Sequence, residues 1–195
     1  MYLVVFDGLM GSGKTLAMSL LASYLHKKHD LIVYSNYSFY NSKEFNSFYN
    51  FLDIAKEEKP VILLLDEGHI DLDSGDFSTN AAKYFSHLFF YFRKLNCRLF
   101  ITTPIFTNIN TRFRALCSIL VSCSFFGDFF VFNIFDVQRN IFLKQIKIYK
   151  EHAFSCVENV YDTNSIVSPI VFPSNKLEFT ELLSSIKSRL EEKRA

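Results

Sequence analysis

Apolar residues in this chain form short unbroken runs separated by longer stretches of helical spacing. Tyr2–Phe6 is an apolar run ending at Asp7-Gly8, and its length and branching predict a buried strand. Thr15–His29 carries apolar residues at helical spacing and closes on Lys27-Lys28-His29, the cations that a helix C-terminus favours. Leu31–Tyr34 predicts a second strand ending at Ser35-Asn36. Ser42–Lys59 predicts a helix, with Ser42 as N-cap and Pro60 beyond its end. Val61–Leu65 is wholly aliphatic and is closed by Asp66-Glu67. Such a run marks a strand covered on both faces in a parallel sheet. Thr79–Asn96 predicts an aromatic-rich helix, Arg98–Thr103 a fourth strand stopped by Pro104, Thr111–Leu116 a short helix and Ile119–Cys123 a fifth strand. Phe129–Phe135 and Phe142–Tyr149 alternate as the two strands of a hairpin. Residues 155–175 carry no clear period, and Leu177–Lys193 predicts a terminal amphipathic helix with acids early and bases late.

Strands alternating with helices over the first 125 residues imply an α/β fold with a parallel sheet and right-handed crossovers. The expected division is residues 1–150 as one domain and residues 151–195 as an irregular segment with a helix. Ligands of such sheets sit at the carboxyl ends of the strands. Gly8–Thr15, Asn36, Asp66-Glu67 and Thr102-Thr103 all fall there.

Gly8-Leu9-Met10-Gly11-Ser12-Gly13-Lys14-Thr15 matches the phosphate-loop pattern GxxxxGK[ST] between a strand and a helix. Gly8, Gly11 and Gly13 let the backbone curl so that N–H groups, including those beside Ser12, face a phosphate at a helix N-terminus. Lys14 would pair with β- and γ-phosphate oxygens, and the Thr15 hydroxyl would ligate Mg²⁺. Asp66 ends an aliphatic strand, where a carboxylate holds the same ion, and Glu67 follows as general base for a water. ATP and Mg²⁺ are therefore the expected ligands. Thr103 is the candidate γ-phosphate sensor. Arg112 or Arg114 is the candidate arginine finger, and Arg93-Lys94 with Arg98 forms a second basic cluster. Each arginine also fits a surface charge or a contact with DNA phosphate. His69 is either a nucleotide-sensing neighbour or a polar loop residue.

Net charge is +1, so no global basic field announces nucleic acid, and any contact with it needs a local patch. Cys97, Cys117, Cys123 and Cys156 form no CxxC pair and read as buried reduced thiols. Cys117–Val137 is the most membrane-like stretch, yet it holds Asp128, Asn133 and Asp136 and alternates as strands do, so no stable membrane span is expected. Met1–Asp7 runs directly into a strand without a basic n-region or cleavage site. The expected location is the cytoplasm, the host's if the chain is viral, with the virion as a second place.

These motifs resemble a family. Gly8–Thr15, Ser35-Asn36, Leu65-Asp66-Glu67-Gly68-His69, Leu72-Asp73-Ser74, Phe92-Arg93-Lys94, Ile101-Thr102-Thr103 and Asn110-Thr111-Arg112-Phe113-Arg114 together resemble small phage and virus ATPases of the FtsK–HerA group. That group includes genome-packaging ATPases and the zonula-occludens-toxin-like assembly proteins of filamentous phages. The resemblance spans residues 1–125. It implies a RecA-like P-loop NTPase core with strand order 5-1-4-3-2, extended here by the hairpin and the terminal helix. It also implies a homo-oligomeric ring that spends ATP on moving nucleic acid, duplex DNA above all, or on acting with capsid and assembly proteins. Pro104 departs from the family, whose members carry Gln there, and the membrane span of the toxin-like proteins has no counterpart. Genome packaging is thus the leading expectation. An extrusion ATPase with protein partners, a small-molecule kinase, a helicase or loader, and a nucleotide-binding structural protein stand as alternatives.

Overall fold

A computed structural model describes residues 3–67 and 80–193, with the side chains of residues 80–83 and Arg112 left out. Gly68-His69 and Leu72-Asp73-Ser74 lie outside the described residues. The elements run β1 (Leu3–Asp7), α1 (Lys14–His29), β2 (Ile32–Ser35), β3 (Lys43–Glu44), α2 (Phe51–Lys56), β4 (Val61–Leu65), α3 (Asn80–Phe92), β5 (Cys97–Thr103), α4 (Thr111–Leu116), β6 (Ile119–Phe126), β7 (Phe129–Asp136), β8 (Ile141–Tyr149), α5 (Lys150–Val157) and α6 (Lys176–Glu192).

The strands form one eight-stranded sheet in the order β3-β2-β4-β5-β1-β6-β7-β8. Pairs from β3 to β6 are parallel, whereas β6–β7 and β7–β8 are antiparallel. The inner run β2-β4-β5-β1-β6 is the five-strand order expected of a RecA-like core. The complete order differs because β3 extends one edge and the β7–β8 hairpin extends the other within the same sheet.

The unbroken apolar runs follow from this layering. Leu3, Val5, Val61, Leu63 and Leu65 enter the core beneath α2, α3 and α6, while Val4, Phe6, Ile62 and Leu64 enter the core beneath α1 and α5. Successive strand residues point to opposite faces, so a strand packed on both needs apolar side chains at every position. Residues after 150 contribute to both cores. Ala153, Val157 and Tyr161 join the α1 side, and Phe179, Leu182 and Ile186 join the other.

The helix expected over residues 42–59 is not formed as one element. The chain runs extended through β3, turns at Phe48–Asn50 in a 3-10 helix, and only then enters α2. Phe45, Phe48 and Phe51 repeat every third residue and are fully buried. That spacing imitates a helical face, but here it arises from a bend over one aromatic cluster, with rings 5.2–5.3 Å apart. Ser42 donates to the Phe39 carbonyl instead of capping, and Ser47 caps the turn in a reciprocal box with Asn50. Three of the cysteines are buried, as expected, but Cys156 is exposed on α5.

Candidate nucleotide site

The glycine loop leaves β1 and turns into α1 through backbone that only glycine adopts easily. Gly8 has φ 139° and Gly13 has φ 86°. At Gly8 a Cβ would stand 2.2 Å from the Cys123 carbonyl oxygen of β6. At Gly13 it would stand 2.6 Å from the Phe130 ring of β7. The loop is therefore wedged between its own helix and the β6–β7 hairpin, and its amide from Gly8 donates to the Pro104 carbonyl after β5. Lys14 folds over the loop, its ammonium donating to the Leu9 carbonyl at 3.0 Å. Ser12 Oγ is buried and without a hydrogen-bond partner among the described residues.

Parallel pairing brings the other ends of the strands beside this loop. The Thr15 hydroxyl lies 3.0 Å from both carboxylate oxygens of Asp66. The Thr102 hydroxyl donates to Asp66 Oδ1 at 2.5 Å and accepts the Glu67 amide at 2.8 Å. Asn36, buried at the end of β2, holds the Asp66 peptide from both sides. Its Oδ1 accepts the Asp66 amide at 2.8 Å, and its Nδ2 donates to the Asp66 carbonyl at 3.1 Å. Glu67 follows with φ 56° and an exposed side chain. Met10, Gly11, Lys14, Thr15, Asp66, Glu67, Thr102 and Pro104 line one cleft of about 370 Å³.

A hydroxyl and a carboxylate sharing hydrogen bonds at the edge of such a cleft are the hard oxygen donors that Mg²⁺ takes, together with water and phosphate. The donor set fits such an ion, which Thr15 and Asp66 would hold.

Asp7 ends β1 directly beneath the loop. Burial pushes its carboxyl above the ordinary range, against hydrogen bonds from Ser122 and the Phe106 amide and the attraction of Lys14. One of its oxygens, Oδ1, is buried without a hydrogen-bond partner among the described residues.

Two expectations shift. Thr103 does not face the cleft: its hydroxyl donates to the Ile105 carbonyl of its own loop at 3.2 Å. Neighbouring residues of a strand point to opposite faces, so Thr102 takes the place expected of Thr103. Arg114 Nε donates to the Ile109 carbonyl at 3.0 Å and does not line the cleft. The side chain of Arg112 lies outside the described residues. Arg93 and Lys94 directly follow α3 and Arg98 is the second residue of β5, which places this basic cluster at the amino end of β5, opposite the cleft. Asn36 had a readable signal, an amide immediately after a strand at the carboxyl edge. The part played by Phe130 had none, because it depends on the hairpin folding back against Gly13.

No family model matches the chain, and no curated protein matches it. Solved structures do. The chain is similar to the genome packaging NTPase B204 of Sulfolobus turreted icosahedral virus 2 in complex with ATP-gammaS, at 12% identity and TM-score 0.52, over 75% of this chain and 96% of that one. It is similar to the N-terminal domain of zonular occludens toxin from Neisseria meningitidis, at 13% identity and TM-score 0.57, over 83% and 98%. The DNA-packaging ATPase B204 of Sulfolobus turreted icosahedral virus matches at 12% identity and TM-score 0.51, over 75% and 96%. These distant likenesses, taken with the sheet, establish a RecA-like P-loop NTPase fold.

Proposed function

We propose that this chain is a Mg²⁺-dependent ATPase that powers nucleic-acid translocation, as the motor of viral genome packaging in an oligomeric ring. One observation carries the reading. A single cleft gathers Lys14, Thr15, Asp66, Glu67 and Thr102 from three separate stretches of the chain, with Thr102 joining Asp66 to the Glu67 backbone. The loop amides and the N-terminus of α1 hold the β-phosphate. On nucleotide binding Lys14 exchanges the Leu9 carbonyl for β- and γ-phosphate oxygens, and Thr15 and Asp66 hold Mg²⁺. When bound, the ion would neutralise charge on the triphosphate. Glu67 takes the proton of the attacking water, while Asn36 holds the backbone of Asp66 before it and Thr102 accepts the Glu67 amide. A carboxylate beyond Asp66 favours water over a substrate hydroxyl as acceptor, which sets the hydrolase reading above the kinase one.

Duplex DNA as cargo, a ring, and a place in host cytoplasm or virion are part of this proposal, supported by the likeness to packaging NTPases and by the arginines after β5. The likeness to the toxin domain over 83% of this chain supports a second reading, an ATPase driving virion assembly or extrusion through protein partners. No helix among the described residues is long and apolar enough to cross a membrane.

ATP turnover measured with and without duplex DNA tests the proposal. The parent is expected to hydrolyse Mg-ATP faster with DNA. Glu67→Gln is expected to bind Mg-ATP and lose about 10²–10⁴-fold in turnover. Near-normal turnover in Glu67→Gln would move the base elsewhere, and a DNA-independent rate would favour the extrusion reading.

A further inference from the structure

We infer that Phe125, Phe130 and Phe154 form the platform that takes the nucleobase, and that this site selects nucleotides by stacking. The inference rests on the triphosphate lying in the glycine loop as proposed above.

Topology sets the direction. Asp66 and Glu67 directly follow β4 and Thr102 lies in β5, strands on one side of β1, while β6 and β7 lie on the other. The γ-phosphate end faces the carboxylates. The remainder of the nucleotide then leaves the loop toward β6 and β7. There β6 overruns β1. The two strands pair up to Asp7 and Ser122, and β6 continues to Phe126 before a two-residue turn returns as β7. The hairpin tip therefore overhangs the loop at the edge where the ligand sits.

What it presents is aromatic. Phe130 is buried, and its ring fills the space beside Gly13. Phe125 lies beside it with ring centroids 4.8 Å apart, and Phe154 of α5 packs on it edge-on at 5.8 Å. Phe125 and Phe154 are each 42% exposed. All three are on the α1 side of the sheet, since Phe125 is paired with Phe130, and Phe130 lies in the core that α1 covers. Two half-exposed rings packed on a buried one, against the loop that opens α1, suit a flat heteroaromatic ring better than a solvent face. Phe126, by strand alternation, points to the opposite face. A phenylalanine ring has no hydrogen-bonding group to read a base edge, so the platform separates adenine from guanine only weakly.

Calorimetric titration with Mg-ATP, Mg-GTP and Mg-tripolyphosphate tests this on the full chain. Leucine replaces the rings so that apolar packing is kept. The parent is expected to bind ATP and GTP within a few-fold of each other and both well above tripolyphosphate. Phe125→Leu and Phe154→Leu are expected to weaken ATP binding about 5- to 100-fold, the range that loss of one base–aromatic stack gives. Their tripolyphosphate affinity should be unchanged, and Phe126→Leu should behave as the parent. The inference is overturned if the parent binds ATP no better than tripolyphosphate, or if both ring variants keep ATP affinity within twofold. It is also overturned if they lose affinity for ATP and tripolyphosphate equally, which is a packing effect. Lys14→Ala separates the two readings. If tripolyphosphate binding survives that change, the phosphate loop itself is misassigned and the base platform falls with it.

Discussion

Thr102 and Thr103 are adjacent in β5, equally buried and chemically identical, yet only Thr102 reaches the carboxylate. Thr102→Val removes a hydrogen bond to Asp66 and leaves the Glu67 amide without its acceptor. A fall in turnover of about tenfold or more is expected, by analogy with the loss of a bond to a charged group. Thr103→Val, tested in the same assay, should change thermal stability more than rate. Equal rate losses would restore Thr103 to the cleft. Asp7 offers a second test at this scale, through pH. Its folded-state pKa is raised above the ordinary 3.8, so the ionised carboxylate destabilises the fold. That destabilisation is full above the raised value and vanishes below the ordinary one, where both states are protonated. Asp7→Asn should therefore leave the protein as stable as the parent or more so at neutral pH, with any gain shrinking as pH falls through the carboxylate range. A thermal denaturation series against pH checks the sign. A net loss at neutral pH would mean that the attraction to Lys14 outweighs burial.

At the scale of elements, the phosphate loop and the β4 strand could be read directly because their signals are local. One needs glycines at fixed offsets and the other an unbroken aliphatic run. The region of β3 and α2 could not, since the three-residue spacing of Phe45, Phe48 and Phe51 satisfies a helix and a folded aromatic bend equally well. The long reach of β6 beyond Cys123 was hidden for a related reason. Ser124, Phe125 and Phe126 do not reveal where a hairpin turns, and Gly127-Asp128 supplies the turn only once both strands are paired. The overhang matters because it locks the loop in place. At Gly8, positive φ and the 2.2 Å approach of the Cys123 carbonyl act together. Gly8→Ala must displace backbone rather than a side chain, and a cost of at least about 1–3 kcal/mol is expected from the strain alone. Chemical denaturation gives that number. Gly11→Ala is the comparison, because a Cβ there meets nothing within 4 Å and only its φ of 76° opposes the change.

Among the described residues, the parallel part of the single sheet is covered on both faces, and residues after 150 take part in both cores. Beyond residue 150, α6 was legible as the amphipathic helix expected over Leu177–Lys193, but α5 was not, because it draws its apolar contacts from α1 and the hairpin rather than from its own period. The same scale decides the motor reading. A ring ATPase completes each site with an arginine from the next subunit, a group worth about 10³–10⁵ in rate. Within one chain Arg114 is tied to the Ile109 carbonyl, outside the cleft that holds Lys14 and Glu67. If the double variant Arg112→Ala, Arg114→Ala retains full turnover with and without DNA, neither arginine serves the reaction. The expectation is that it binds ATP but does not hydrolyse it alone. Mixed with Lys14→Ala subunits, it should regain activity, because its intact loop then meets an intact arginine next door. Loss of DNA stimulation alone, with basal turnover kept, would instead assign these arginines to the nucleic acid. Mass in solution with ATP completes the test, since recovery by mixing requires that subunits of the two kinds share a ring.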